Sequence, residues 1–168
     1  GVKALMIEDW DWGLRIEKTE TFTLNDERVS SSRIRNCLTS DDFESAKELL
    51  GRPYKFHGKV VYGQQLGRTL GVPTANLWLP RNKLPISGVY IVNVEFEKRV
   101  YGGIANMGIR PTVGGQNPVL EVHIFNFSGS LYGKKINVEF LKKIRDEKKF
   151  HGLDDLKEHI FKDIAFAK

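Results

Sequence analysis

The sequence predicts a mainly β fold, a small antiparallel barrel with a C-terminal helix, preceded by a short α/β segment. Three observations carry that expectation. From Tyr54 onward, short runs rich in β-branched and aromatic residues recur between Gly, Pro and Asn clusters, at the spacing of a small barrel. Within one run Leu120, Val122 and Ile124 alternate with Glu121, His123 and Phe125, so its two faces differ chemically. The tail then changes to helical spacing, with Leu156, Ile160, Ile164 and Ala167, joined by Phe161, forming one apolar stripe from about residue 153.

In chain order, residues 14–24 alternate Leu14, Ile16 and Lys18 against Arg15, Glu17 and Thr19 and end in Thr and Phe, which predicts one strand. Ser30, Ser31 and Ser32 offer N-caps to a short helix carrying Ile34 and Leu38. Asp41 followed three residues later by Glu44 has the form of a capping box, opening a second helix that Gly51 and Pro53 stop. One strand and two helices are too little for a core of their own. Strands are expected at 54–62, 88–96, 99–106, 119–127 and 135–142. Between the third and fourth, Asn106 to Gly115 is expected as a loop, either a plain hairpin connection or a lid over a ligand.

The 168 residues suit one ordinary domain plus something small, and 40% hydrophobic with 28% charged residues is a globular balance. A net charge of +5 fits an anionic partner, and a nucleotide phosphate satisfies it as well as a nucleic acid does. The lysines at 134, 135, 142, 143, 148 and 149 sit among Glu139, Asp146 and Glu147, as on a solvated face. The single cysteine, Cys37, excludes an intramolecular disulfide and a cysteine zinc cluster. No apolar run approaches the roughly 20 residues of a membrane span, and no signal-peptide pattern is present. The expectation is a soluble cytoplasmic protein without membrane or nucleic-acid partners.

The stretch Gly63 to Asn76, GQQLGRTLGVPTAN, carries the strongest chemical signal. Gly63, Gly67 and Gly71 let backbone N–H groups approach phosphate oxygens, and Arg68 adds a permanently charged fork. Thr74 and Asn76 are two apart, so an extended backbone sends both side chains to one face, where hard oxygens suit Mg²⁺. An ordinary turn between strands has the same glycine signature. Glu121, a carboxylate in an aliphatic strand, is the catalytic candidate; a cross-strand ion pair is its structural alternative. His123 shares its face, either as a second polar group of the site or as a structural histidine. Arg145, Asp146, Glu147 and Phe150 either meet a planar polar ligand or cap the last helix. GxxxxGK[ST], HRD, GxSxG and HExxH patterns are all missing, so a kinase here is neither of the P-loop nor of the protein-kinase kind.

Seven segments, in order and spacing, resemble riboflavin kinase: GRPY (51–54), GRTLGVPTAN (67–76), GVY (88–90), NMGIRPT (106–112), EVHIFNF (121–127), LYGK (131–134) and IRDEKKF (144–150). The preceding VSSSRIR (29–35) resembles the last motif of the FMN adenylyltransferase module of bacterial bifunctional FAD synthetases, with Ser32 in place of its usual threonine. The resemblance implies a six-stranded Greek-key barrel with a C-terminal helix over 51–168 and the remnant of an adenylyltransferase domain over 1–50. It implies Mg²⁺-dependent transfer from ATP to riboflavin, giving FMN, with Glu121 as the base on the 5′-hydroxyl. Thr74 and Asn76 would bind the metal and the phosphates, and Gly63, Gly67, Arg68 and Gly71 would contact the nucleotide. Arg110 and Thr112 would belong to a flap, while Arg145, Glu147 and Phe150 would meet the flavin. The alternative is a non-catalytic module that binds flavin or nucleotide.

Overall fold

The computed structural model describes residues 21–63, 66–79, 84–112 and 115–168, and within them the side chains of all but 66, 110–112 and 115–117. Residues 14–20 of the expected first strand lie outside the described residues. Its end appears as β1 (Thr23–Leu24), paired with β2 (Glu27–Arg28). Asn25 and Asp26 both have positive φ, 54° and 60°, as a two-residue hairpin turn requires.

Two helices follow. In α1 (Ser31–Thr39) the Ser30 hydroxyl accepts from the Arg33 N–H at 3.2 Å, so the serine run supplies the cap as expected. In α2 (Phe43–Leu50) the cap is Asp42, which accepts from Ser45 N–H, and not Asp41. Gly51 ends that helix in the left-handed region, at φ 66°. Asp41 is drawn away because its carboxylate accepts from the Tyr90 hydroxyl at 2.9 Å and from Lys143 Nζ at 2.8 Å, with φ at 59°. Burial pushes the Tyr90 phenol up in pKa, and its bond to Asp41 pushes it further. Burial alone would lower Lys143, but hydrogen bonds to Asp146 and Asp41 outweigh it and hold the ammonium above its ordinary value.

Six strands then close a barrel: β3 (Lys55–Val61), β4 (Ala75–Leu77), β5 (Gly88–Phe96), β6 (Arg99–Thr112), β7 (Gly115–Ile124) and β8 (Lys135–Arg145). Their order is β3-β4-β7-β6-β5-β8, all antiparallel. The β5-β6-β7 meander with β8 returning beside β5 is a Greek key. The periodicity of the chain yields five of these strands. The sixth, β4, has three residues and hides at the end of the glycine-rich stretch, which also holds the one-turn helix α3 (Leu66–Thr69).

Of the loop expected at 106–115, residues 106–112 and 115 are instead strand. β6 and β7 stay paired as far as Thr112↔Gly115, so the segment is the arm of a long hairpin. At its other end β7 stops at Ile124 rather than at 127, and Asn126 turns the chain with φ 54°.

Alternation along the strands sends Val92, Val94, Leu120, Val122, Ile136, Val138 and Phe140 into a common core. Leu38, Phe43 and Ala46 of the two helices belong to the same core. The Phe43 ring lies 5.7 Å from that of Tyr90, 6.1 Å from Phe140 and 6.3 Å from Tyr54. The helical pair therefore borrows its interior from the barrel; burying Phe43 alone is worth roughly 1.5–3 kcal/mol. The last helix, α4 (Leu153–Ala167), lies against β6. Leu156, Ile160, Ile164 and Ala167 are partly buried, but Phe161 is 49% exposed, one residue and so about 100° round the helix from Ile160.

Candidate active site

Strand register assembles the polar face. Asn76 on β4 is directly opposite Glu121 on β7, and Glu121 is in turn opposite Asn106 on β6. Because side chains alternate, Thr74 and Asn76 share one face of the sheet with Glu121 and His123. A cavity opens on this face. Thr74, Glu121, His123 and Asn106 line one side together with Gly67, Leu70 and Val72. Arg145 at the end of β8 and Glu147, Lys148 and Phe150 after it, with Leu156, Ile160 and Asp163 of α4, line the other. Val89, Ile104 and Ala105 form the apolar floor between them.

Of the expected metal ligands, Thr74 reaches the cavity wall, whereas Asn76 is only 6% exposed and is covered by Gly63. A Cβ at Gly63 would run into the Asn76 amide, so this glycine is required by close approach. Among the described residues Asn76 Oδ1 is buried without a hydrogen-bond partner. An oxygen left so costs about 1–3 kcal/mol unless something meets it. A small hard cation is one such partner, and with the Thr74 hydroxyl it would find two of the oxygen donors it takes from protein. Among the described residues no group of three or more His, Cys, Asp and Glu could hold a metal ion.

The remaining expected residues separate. Gly67 is on the wall, and a Cβ there would strike the Val72 carbonyl and touch Thr74. Arg68 and Gly71 are exposed and off the cavity wall. Arg110 and Thr112 lie in the hairpin arm, their side chains outside the described set. Glu147, exposed, folds its carboxylate over Gly108.

Arg145 makes a bidentate bond to Asp163, with Nε at 3.1 Å and Nη2 at 2.8 Å from the carboxylate oxygens. Its guanidinium carbon lies 5.5 Å from the Phe150 ring centroid. Phe150 in turn rests against His159, at 5.1 Å between ring centroids. His159 Nδ1 meets the Asp155 carbonyl at 2.9 Å, which only accepts, so Nδ1 carries the proton and Nε2 accepts from Lys148 at 3.0 Å. Three polar residues of the cavity lining are new, Asn106 on the first side and Lys148 and Asp163 on the second. Asp163 had a signal, being a carboxylate that interrupts the apolar stripe of α4 seven residues after Leu156.

A family model described as flavokinase, riboflavin kinase, matches residues 50–168. The chain belongs to the riboflavin kinase family. Among its relatives is the bifunctional riboflavin kinase/FMN adenylyltransferase of Haemophilus influenzae, 48% identical over 158 residues, which are 94% of this chain and 51% of that protein. The Bacillus subtilis protein of the same description is 40% identical over 167 residues, 97% of this chain and 53% of its own length. A solved structure described as a macrolide-efflux protein from Streptococcus pneumoniae superposes with a TM-score of 0.77 at 36% identity, covering 88% of this chain and 49% of that one. The chain thus spans about half the length of the curated relatives it matches. Likeness to these relatives extends well ahead of the riboflavin kinase match, into the α1–α2 segment. Among the described residues no helix is long and apolar enough to cross a membrane.

Proposed function

We propose that this chain transfers the γ-phosphoryl group of Mg-ATP to the 5′-hydroxyl of riboflavin, giving FMN and ADP. The observation that carries the proposal is the row Asn76, Glu121, Asn106 across three strands, in which Glu121 and Asn106, with Thr74 beside them, face a cavity whose far wall is aromatic and cationic, and Asn76 is buried directly behind them. Glu121 takes the hydroxyl proton as the hydroxyl oxygen bonds to the γ-phosphorus. The bond to the bridging oxygen breaks on the opposite side, and ADP leaves. Bound Mg²⁺ neutralises phosphate charge; Asn76 Oδ1 and the Thr74 hydroxyl are the oxygens assigned to hold it. Gly63 and Gly67, packed on Asn76 and on Val72 and Thr74, let the backbone of this segment approach the phosphates closely, and Arg68 and Gly71 contact the nucleotide from the rim. Arg145, Glu147 and Phe150 orient the flavin, whose ring system suits a slot edged by an aromatic side chain. Arg110 and Thr112, in the hairpin arm, are assigned to its cover.

Residues 1–50 are proposed as the end of an adenylyltransferase domain, on the strength of the VSSSRIR motif, and adenylyl transfer is not proposed for these 168 residues by themselves. Incubation with riboflavin and Mg-ATP, followed by chromatography, tests the reaction directly. FMN is the expected product, and flavin binding without product would identify a binding module instead. Glu121→Gln is expected to reduce turnover at least 100-fold, in line with loss of a general base, while ADP still binds; near-normal rates in that variant would remove Glu121 from the role.

A further inference from the structure

Pairing between β4 and β7 ends at Ala75↔Val122. One residue further out the sheet register would set Thr74 against His123, but the ladder has stopped, and the preceding residue, Pro73, has no N–H to extend it. His123 takes over with its side chain. Its Nδ1 lies 2.9 Å from the Pro73 carbonyl oxygen. A carbonyl only accepts, so Nδ1 carries the proton. The ring is steadied edge-on against Phe125, at 5.7 Å between centroids, and forms part of the cavity wall beside Thr74 and Glu121. The bonds from Val72 N–H to Gly67 and from Gly71 N–H to Arg68 are internal to the glycine-rich segment. The histidine bond, by contrast, ties that segment to the barrel, at the peptide that carries Thr74.

We propose that His123 is a positioning residue for the nucleotide side of the cavity: by holding the Pro73–Thr74 peptide it fixes the Thr74 hydroxyl relative to Asn76 and Glu121. The inference rests on the proposed function in taking this segment as the nucleotide side. It assigns His123 no proton transfer. Its prediction is a selective one, that loss of the clamp weakens nucleotide binding and spares the flavin.

Calorimetric titration of the chain with MgADP, and separately with riboflavin, tests this without turnover. His123→Ala and the bulkier His123→Leu lack the donor, whereas His123→Asn has an amide N–H near the Nδ1 position. One hydrogen bond of this kind is worth up to about tenfold in affinity. MgADP affinity is therefore expected to fall about tenfold in the Ala and Leu variants and to recover mostly in the Asn variant, with riboflavin affinity within about twofold throughout. Unchanged MgADP affinity, equal losses for both ligands, or an Asn variant no better than Leu would overturn the proposal. Wild-type chain that binds MgADP but forms no FMN would overturn the proposed reaction and leave the clamp to these titrations. Wild-type chain that binds no MgADP would overturn both.

Discussion

The two walls of the cavity are built on opposite principles. The wall at Gly67, Val72 and Thr74, backed by Asn76, is made of close backbone, small residues and neutral oxygens, with Gly63 pressed on Asn76 and Gly67 on Val72 and Thr74. The wall from Arg145 to Asp163 is made of charge and rings, with Arg145 chelating Asp163 and Phe150 lying between Arg145 and His159. The first wall makes room and the second makes a fixed frame. On the proposed function the difference follows from the ligands. Polyphosphate brings its own charge and needs approach by N–H groups and hard oxygens, whereas a rigid planar ring gains from a preformed slot.

The contrast is sharpest where each wall is cut. Asp163→Ala strands the Arg145 guanidinium at the frame and should cost about 3 kcal/mol, at the low end for a broken buried pair because Arg145 keeps 23% of its side chain exposed. Urea unfolding would read the loss, and riboflavin affinity should fall with it while MgADP affinity falls less. Gly63→Ala drives a methyl into the buried Asn76 amide, for about 2 kcal/mol of overpacking. Here the ligand order should invert, with MgADP affinity lost before riboflavin affinity. Gly71→Ala meets open space but forces an L side chain to φ 78°, for about 1 kcal/mol by thermal unfolding. Arg68→Ala, on the exposed rim, should leave stability within about 0.5 kcal/mol, yet weaken MgADP in a salt-dependent way. A stable Asp163→Ala protein with normal riboflavin affinity would dissolve the distinction between the walls.

The sequence made the long strands legible because their alternation runs for many residues, and β5 begins and ends where its Val, Tyr and Ile run does. It hid β4, since three residues are too few for a period. It misled at 106–115, where Gly and Pro read as loop punctuation but pairing across β6 and β7 decides the matter. The cap at Asp42 was displaced by one residue for a similar reason, a tertiary bond from Asp41 to Tyr90 and Lys143 that no local pattern records. In the site, Glu121, Thr74 and Gly67 line the cavity. The burial of Asn76 under Gly63 and the pairing of Arg145 with Asp163 depend on contacts distant in sequence, whose one local trace is the carboxylate at 163 in the apolar stripe of α4.

The Phe43 ring among Tyr54, Tyr90 and Phe140, with Asp41 bound to Tyr90 and Lys143, has a practical corollary for anyone trimming this protein to a minimal barrel. The family match begins at residue 50, which makes Gly51 the tempting place to cut. A cut there would uncork one end of the barrel, exposing an aromatic surface to water and leaving Lys143 short of one of its two carboxylates. The natural excision point lies ahead of Ser30, so that the cork leaves with the bottle.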